Sequence, residues 1–137
     1  MAAFRFKKRV YYHDTDCEGV VYYANYLKYL EETRTEQFRS HGIDLKTLAG
    51  KGFLFAVTEV RIRYKSPARY NDELDISSEI VKSGKVFLDF LHSVRRGDIT
   101  LVECETRLVC LGRDFKPVSI PDDITRSLSG ESAGNRP

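Results

Sequence analysis

Hydrophobic and polar residues follow two different periods along this chain of 137 residues. Phe4 to Tyr12 alternates loosely and predicts a strand. From Tyr22 to His41 the apolar residues recur at helical spacing, which predicts a helix about 30 Å long. Gly42 then stands where a residue in the left-handed region commonly ends a helix. One long helix with a broad apolar face therefore follows the first strand.

Four further alternating segments follow the long helix. The turns Ser83-Gly84-Lys85 and Arg96-Gly97-Asp98 contain the glycine of three-residue hairpin loops and separate the last three segments. Shorter helices are predicted within Ile43 to Lys51 and within Pro121 to Leu128. The order predicts an α+β fold with the long helix across an antiparallel sheet of five strands. The four later strands are Phe53 to Lys65, Leu74 to Lys82, Val86 to Arg95 and Ile99 to Leu111.

Length and composition place the chain among ordinary globular proteins. Hydrophobic residues make up 42% and charged residues 31%, and the net charge of +2 gives no indication of a nucleic-acid partner. No apolar run approaches the roughly 20 residues of a membrane span. We expect a single domain over residues 1–128 and a flexible C-terminal tail over residues 129–137.

The three cysteines favour a reducing compartment. Cys104 and Cys110 fall on one predicted strand, where their separation of about 20 Å is too long for a disulfide. Together with Cys17 they lack the paired spacing of a zinc site, and the histidines show no metal spacing. We therefore expect a cytoplasmic protein without a metal site.

The acidic turn Asp14-Thr15-Asp16-Cys17-Glu18-Gly19 lies just ahead of the long helix. A helix start offers free backbone N–H groups and a partial positive charge. Asp16 beside such a start could attack or activate water while the N–H of Val21, Tyr22 or Tyr23 holds an oxyanion. Composition alone favours the alternative, in which the aspartates only shape the turn.

The sequence indicates a function less clearly for the other charged residues than for Asp16. Helical spacing suits Glu31 to form an ion pair with Arg34. Basic residues gather at predicted strand ends and turns, where they form either a solvated rim or a site for the phosphates of an anionic substrate. These residues are Lys65, Arg69, Lys82, Lys85, Arg95 and Arg96.

The segment VYYHDTDCEGVVYYANYLKYLEETR, residues 10–34, resembles the signature of the hot-dog-fold acyl-CoA thioesterases. The resemblance is to the YbgC-like branch of the 4-hydroxybenzoyl-CoA thioesterase family. YKSPARYNDELDI, from Tyr64 to Ile76, resembles that family's second and third strands, and the likeness spans about Arg5 to Pro121. The matching signature residues are Thr15, Asp16, Gly19, Val21, Tyr22, Glu31 and Arg34.

The resemblance implies a hot-dog fold, in which a five-stranded antiparallel sheet wraps around the long helix. It implies a homodimer with active sites at the subunit interface, often paired into a tetramer. The implied reaction is hydrolysis of an acyl-CoA thioester to a free acid and CoA, with no metal or bound cofactor.

The resemblance also implies roles for individual residues. Asp16 matches the catalytic aspartate, acting as nucleophile or general base, and the Tyr23 backbone N–H would polarise the thioester carbonyl. Gly19 belongs to the same catalytic turn, and Tyr22 is expected to contact substrate. The phosphates of CoA are expected to contact the basic residues Lys82, Lys85, Arg69 and Arg95.

Tyr23 departs from many YbgC-like members, which carry histidine at that position. A backbone N–H survives this change, whereas a histidine-dependent proton step is excluded and the acyl preference stays open. A hot-dog dehydratase is disfavoured because no H-x-x-P-G-like context occurs at the helix start. A non-catalytic acyl-CoA binding protein, or an adaptor of a membrane-associated complex, remains the alternative.

Overall fold

The computed structural model describes residues 3–129, which contain a five-stranded sheet and three α-helices. The strands are β1 (Phe4–Arg9), β2 (Leu54–Tyr64), β3 (Glu73–Ser83), β4 (Phe87–Arg96) and β5 (Ile99–Leu111). The helices are α1 (Asn25–Ser40), α2 (Leu45–Gly50) and α3 (Asp122–Leu128). The prediction of an α+β fold with five strands and one long helix is confirmed. None of the helices in residues 3–129 has the length and apolar character that a membrane span requires.

The strands follow the order β1-β3-β4-β5-β2, and every neighbouring pair is antiparallel. β3, β4 and β5 are joined by hairpins, and Gly97 in the second turn has a φ of +60°. A bulge interrupts the pairing of β2 with β5 between Val57 and Glu59. Because β1 and β2 are the outer strands, β2 presents an edge that no other strand in residues 3–129 covers.

Helix α1 packs on one face of this sheet and divides the core into two apolar clusters. The cluster around its first half contains Tyr26 and Leu30 of α1 against Ile76 of β3 and Val94 of β4. The cluster around its second half is built on Phe38, whose ring stacks on that of Phe55 at 5.4 Å. Helices α2 and α3 close this second cluster, to which they contribute Leu48, Ile124 and Leu128.

Buried polar side chains separate the two clusters, and we call them the polar belt. They are Arg34, Gln37, Ser78, His92 and Thr106. The Ser78 hydroxyl donates to Gln37 Oε1 at 2.6 Å, and Gln37 Nε2 donates to the Ser78 carbonyl at 3.3 Å. Both ring nitrogens of His92 are buried without a hydrogen-bond partner among the described residues. Burial, with a smaller effect of the Arg34 charge, lowers the pKa of His92 to about 3.

The start of the long helix differs from the sequence prediction. α1 begins at Asn25 rather than Tyr22, because the N–H groups of Val21 and Tyr22 already donate to the carbonyls of Ala68 and Asp14. These bonds hold Val21 and Tyr22 in an extended segment that continues from the acidic turn. The chain therefore enters the helix three residues later than its apolar spacing suggests.

The end of the helix follows the prediction. Gly42 has a φ of +78°, and Ile43 N–H donates to the carbonyl of Phe38 at 3.0 Å, which together form a Schellman cap. The first strand ends earlier than predicted, because residues Tyr12–Asp14 form a 3-10 helix. The predicted tail, residues 129–137, lies outside the described residues except for Ser129, which caps α3.

Candidate active site

The acidic turn folds back on itself through backbone hydrogen bonds. Asp16 N–H donates to the Val20 carbonyl at 2.9 Å, and Gly19 N–H donates to the Asp16 carbonyl at 3.1 Å. Gly19 has a φ of +83°, a left-handed conformation that glycine adopts without steric cost. The turn thus holds Asp16 in one place at its base.

The Asp16 side chain is partly exposed and accepts one hydrogen bond from the described residues. Its Oδ1 accepts a hydrogen bond from Glu18 N–H at 2.8 Å, and no cation in residues 3–129 forms an ion pair with it. The second carboxylate oxygen has no hydrogen-bond donor among the described residues. An oriented carboxylate with a free oxygen can act as a nucleophile or accept a proton from water.

Asp14 has a different environment from Asp16. It is 8% exposed, and its Oδ2 accepts the N–H of Tyr11 at 2.9 Å. Its backbone carbonyl accepts both the Tyr22 N–H and the side-chain amide of Asn25 at 2.8 Å. Asp14 therefore links the turn to the first residue of α1. The contact of Asn25 with Asp14 cannot be predicted from the sequence, because an asparagine inside a helical pattern has no distinctive signal.

The Tyr23 backbone N–H is the remaining candidate oxyanion donor. Val21 and Tyr22 are excluded from this role because their N–H groups are already bonded. Tyr23 N–H has no acceptor among residues 3–129, although it lies two residues before the start of α1. A free N–H beside the positive end of a helix is suited to a developing negative charge.

Tyrosine rings surround the Tyr23 backbone. Tyr22 and Tyr23 are exposed, with ring centroids 4.8 Å apart, and Tyr23 meets Tyr64 of β2 edge to face at 6.3 Å. The Tyr64 hydroxyl donates to the Tyr23 carbonyl at 3.0 Å. Tyr23, Tyr26 and Tyr64 line a cavity of about 270 Å³ with Pro67, and burial raises the pKa of Tyr26 and of Tyr64. The phenols of Tyr26 and Tyr64 therefore stay neutral near pH 7.

The four predicted CoA contacts do not lie together in one protomer. Arg69 is beside the acidic turn, because its backbone bridges to Val20. Arg95 lies at the same end of the sheet, opposite Asp75 near the start of β3. Lys82 is nine residues along β3 from Glu73, about 30 Å away at 3.3 Å per residue, and Lys85 is in the turn beyond it. The prediction that these residues contact the phosphates of CoA, in their own or a neighbouring subunit, stays a prediction.

The predicted ion pair between Glu31 and Arg34 does not form. Arg34 has no ion pair or hydrogen bond to any described residue, and Glu31 is exposed. The Arg34 side chain turns inward and becomes part of the polar belt, where it is 8% exposed. Sequence spacing overestimated this pair because it takes no account of which helix face the sheet covers.

Nothing in residues 3–129 groups three or more potential metal ligands. Cys17 is exposed in the acidic turn, while Cys104 and Cys110 are buried, and all three are free thiols.

Known proteins of one class are similar to this chain in sequence and in fold. A model described as the thioesterase-like superfamily matches residues 10–128. The acyl-CoA thioester hydrolase YbgC of Escherichia coli is 37% identical over 123 residues, which are 88% of this chain and 92% of that protein. The acyl-CoA thioesterase YbgC of Haemophilus influenzae is 34% identical over 124 residues, which are 88% of this chain and 90% of that protein.

Solved structures agree with these relatives. A probable thioesterase from Bartonella henselae superposes with a TM-score of 0.83 at 30% identity, over 88% of this chain and 100% of that chain. The 1,4-dihydroxy-2-naphthoyl-CoA thioesterase from Synechocystis superposes with a TM-score of 0.89 at 20% identity, over 96% and 98% of the two chains, and shows the fold alone. The chain therefore belongs to the thioesterase-like superfamily, with the hot-dog fold and the sequence of its YbgC-like acyl-CoA thioesterase branch.

Proposed function

We propose that this thioester hydrolase cleaves an acyl-CoA with the Asp16 carboxylate as the reacting group and the Tyr23 N–H as the oxyanion donor. The products are the free acid and CoA. The single observation that carries the proposal is the free Tyr23 N–H beside a turn that holds a carboxylate with one unengaged oxygen. Relatives named as acyl-CoA thioester hydrolases supply the substrate class.

Two routes through Asp16 balance in atoms and charge. As a nucleophile, its free oxygen bonds to the thioester carbon, the C–S bond breaks, and CoA leaves as a thiolate. Water then hydrolyses the mixed anhydride and regenerates the carboxylate. As a general base, Asp16 takes a proton from water while the water oxygen bonds to the thioester carbon. The C–S bond then breaks, and the departing CoA thiolate takes the proton back from Asp16. Both routes place negative charge on the carbonyl oxygen, where one N–H donor typically stabilises the transition state by about 3 kcal/mol.

The basic residues are assigned to the phosphates of CoA. Arg69, beside the acidic turn, and Arg95, at the same end of the sheet, serve the site of their own protomer. Lys82 and Lys85, at the opposite end of β3, serve the site of a neighbouring subunit. This assignment needs a homo-oligomer, a dimer or a dimer of dimers, and a cytoplasmic location supplies acyl-CoA to it. The uncovered edge of β2 supports such an assembly.

The experiment compares Asp16→Asn with Glu18→Gln. Each variant removes one carboxylate from the same turn, and Asn keeps an oxygen for the Glu18 N–H, so both are expected to fold. Asp16→Asn should lower kcat/KM for acyl-CoA hydrolysis by roughly a hundred- to ten-thousandfold, whereas Glu18→Gln should stay near wild type. Full activity of Asp16→Asn would overturn the mechanism.

A second measurement separates the two routes. A single turnover in water labelled with heavy oxygen places the label in Asp16 only if the carboxylate is the nucleophile. Label found in the acid product alone means that water attacked the acyl carbon, as the general-base route requires. A wild-type protein that binds acyl-CoA yet hydrolyses none across short, long and aromatic acyl groups would favour the non-catalytic binding or adaptor role.

A further inference from the structure

A second concave site lies along the seam between α1 and β2, beyond the tyrosine cavity. It is a groove of about 440 Å³, and we call it the seam groove. Its walls are mostly apolar, and Leu27, Val57 and Val60 are more than a third exposed along it. The apolar lining includes Leu27, Phe38, Phe55, Val57, Val60 and Leu108. A groove of this size and lining is typical of a site for a small molecule with an apolar part.

One buried cation lines this apolar groove. Arg34 is 8% exposed and has neither an ion pair nor a hydrogen bond to any residue of the described chain. Glu31 also lines the groove but is exposed and remains beyond ion-pair distance of Arg34. Burial lowers the pKa of the guanidinium, an effect that Glu31 only partly offsets. Arginine nevertheless stays charged in proteins, so an uncompensated positive charge lies at the inner side of the groove.

We propose that Arg34 binds the carboxylate at the far end of a dicarboxylic acyl group, which makes CoA thioesters of dicarboxylic acids the preferred substrate class. The inference rests on the proposed function and names its substrate. A buried charge is costly unless an opposite charge pairs with it, and a carboxylate matches the two parallel donors of a guanidinium. The apolar walls fit the methylene chain between the thioester and that carboxylate.

The groove and the tyrosine cavity are lined by neighbouring residues of the same two elements. The tyrosine cavity and the seam groove follow one another along α1, since Tyr26 lines the first and Leu27 the second. Tyr64 and Val60 line the same two spaces from β2. Tyr23 and Arg34 are 11 residues apart, about 16 Å along a helix axis, and a helical arginine leans back toward the N-terminus. An extended chain of medium length spans the remaining distance.

Matched substrates test the preference directly. Each pair has the same number of carbons and differs in the distal carboxylate: hexanoyl-CoA and adipoyl-CoA, octanoyl-CoA and suberoyl-CoA, decanoyl-CoA and sebacoyl-CoA. Wild type should show the higher kcat/KM for the dicarboxylic member in at least one pair, with a clear optimum of chain length. A preference for the neutral member in all three pairs would overturn the proposal while leaving the proposed hydrolysis intact.

Variants test whether Arg34 is the cause. Arg34→Gln should lower the ratio of kcat/KM for suberoyl-CoA over octanoyl-CoA by roughly ten- to a hundredfold, since hydrogen bonds to charged groups are the stronger ones. Arg34→Lys keeps the charge and should keep part of the preference. Lys28→Gln removes an exposed cation from the same groove and should keep the wild-type ratio. Equal ratios in wild type and Arg34→Gln would refute the assignment.

A binding measurement needs neither turnover nor a variant. Free suberate should raise the thermal unfolding midpoint of wild type, and octanoate at the same concentration should raise it less. If no acyl-CoA is hydrolysed but suberate still stabilises the protein, the proposed function fails and this site stands. If suberate has no effect while Glu31→Gln lowers the oligomeric state, Arg34 pairs with the Glu31 carboxylate of a second copy, and the proposal is wrong.

Discussion

The hydroxyl group of Tyr64 donates a hydrogen bond to the backbone carbonyl of Tyr23 over 3.0 Å. Tyr64 is the last residue of β2, and Tyr23 carries the candidate oxyanion donor. The bond therefore links the edge strand of the sheet to the peptide segment on which the proposed chemistry depends. The contact positions the Tyr23 segment, because the Tyr64 hydroxyl donates its proton to the Tyr23 carbonyl.

Tyr64→Phe removes this bond and keeps the ring. We expect kcat to fall by roughly three- to tenfold, the equivalent of one ordinary hydrogen bond, with a smaller change in KM. Steady-state hydrolysis of one acyl-CoA measures both constants. Tyr70→Phe is the control, because Tyr70 is exposed and its ring meets only that of Tyr12 among the described aromatic residues. An unchanged kcat in Tyr64→Phe would show that the Tyr23 segment is held by other contacts.

Gly19→Ala and Gly97→Ala separate stability from catalysis. Both glycines have positive φ, and an added Cβ would meet no atom within 4 Å at either position. Each substitution should therefore cost about 1–2 kcal/mol of unfolding free energy through backbone strain alone. Only Gly19→Ala should also lower kcat, because Gly19 closes the turn that carries Asp16.

The measurements are chemical denaturation and hydrolysis of the same acyl-CoA by both variants. Gly19→Asn should lose less stability than Gly19→Ala, since asparagine tolerates the left-handed region better than alanine does. Equal loss of kcat in the Gly19 and Gly97 variants would mean that general destabilisation, and not the position of Asp16, limits turnover.

His92 should make the fold sensitive to acid. Its pKa is about 3 in the folded protein, against 6.5 for an ordinary histidine, because burial disfavours the charged ring. Between these values the unfolded chain binds a proton that the folded protein does not, so stability falls as the pH drops below 6.5. The loss at about pH 5 should be on the order of 2 kcal/mol.

His92→Leu should remove this part of the acid sensitivity. Neither ring nitrogen has a hydrogen-bond partner in the described chain, so the apolar side chain should be at least as stable as histidine at pH 7. Urea denaturation at pH 7 and at about pH 5 compares the free energy of unfolding of His92→Leu with that of wild type. His13→Gln, at an exposed position, should retain the wild-type dependence. An identical pH slope in His92→Leu and wild type would contradict the assignment.

The features that the sequence predicted correctly are those set by neighbouring residues along the chain. Gly42 ends α1 because a helix terminus needs a left-handed residue, and β5 has its predicted limits because glycine turns and alternation define them. The start of α1 was missed because the N–H groups of Val21 and Tyr22 bond to distant or preceding carbonyls that no periodicity reveals. An aromatic residue at helical spacing continues a helix in sequence whether or not its backbone is already bonded elsewhere.

The candidate site and its surroundings also include residues that the sequence predicted and residues that it did not. Asp16, Gly19 and Tyr23 are close in sequence, so one contiguous motif contains all three candidates, and its resemblance to the family signature singled them out. The polar belt was not predicted, because Arg34 and His92 come together only when α1 packs on the sheet. Polar residues are mostly exposed in proteins, and sequence alone therefore favoured an exposed ion pair for Arg34.

The strand order β1-β3-β4-β5-β2 has a consequence for biosynthesis. β3, β4 and β5 are consecutive hairpins with short loops, whereas Phe4 of β1 pairs with Ser78 and Leu54 of β2 pairs with Leu111. Contacts between distant parts of a chain form later than local ones. On the ribosome, Asp16 and Tyr23 emerge early, whereas Tyr64, which contacts Tyr23, lies on β2 and can pair with its neighbouring strand only after β5 has been synthesised. Pulsed hydrogen exchange during refolding should therefore protect β4 and β5 before β1, so that the acidic turn is among the last parts of the molecule to become fixed in place.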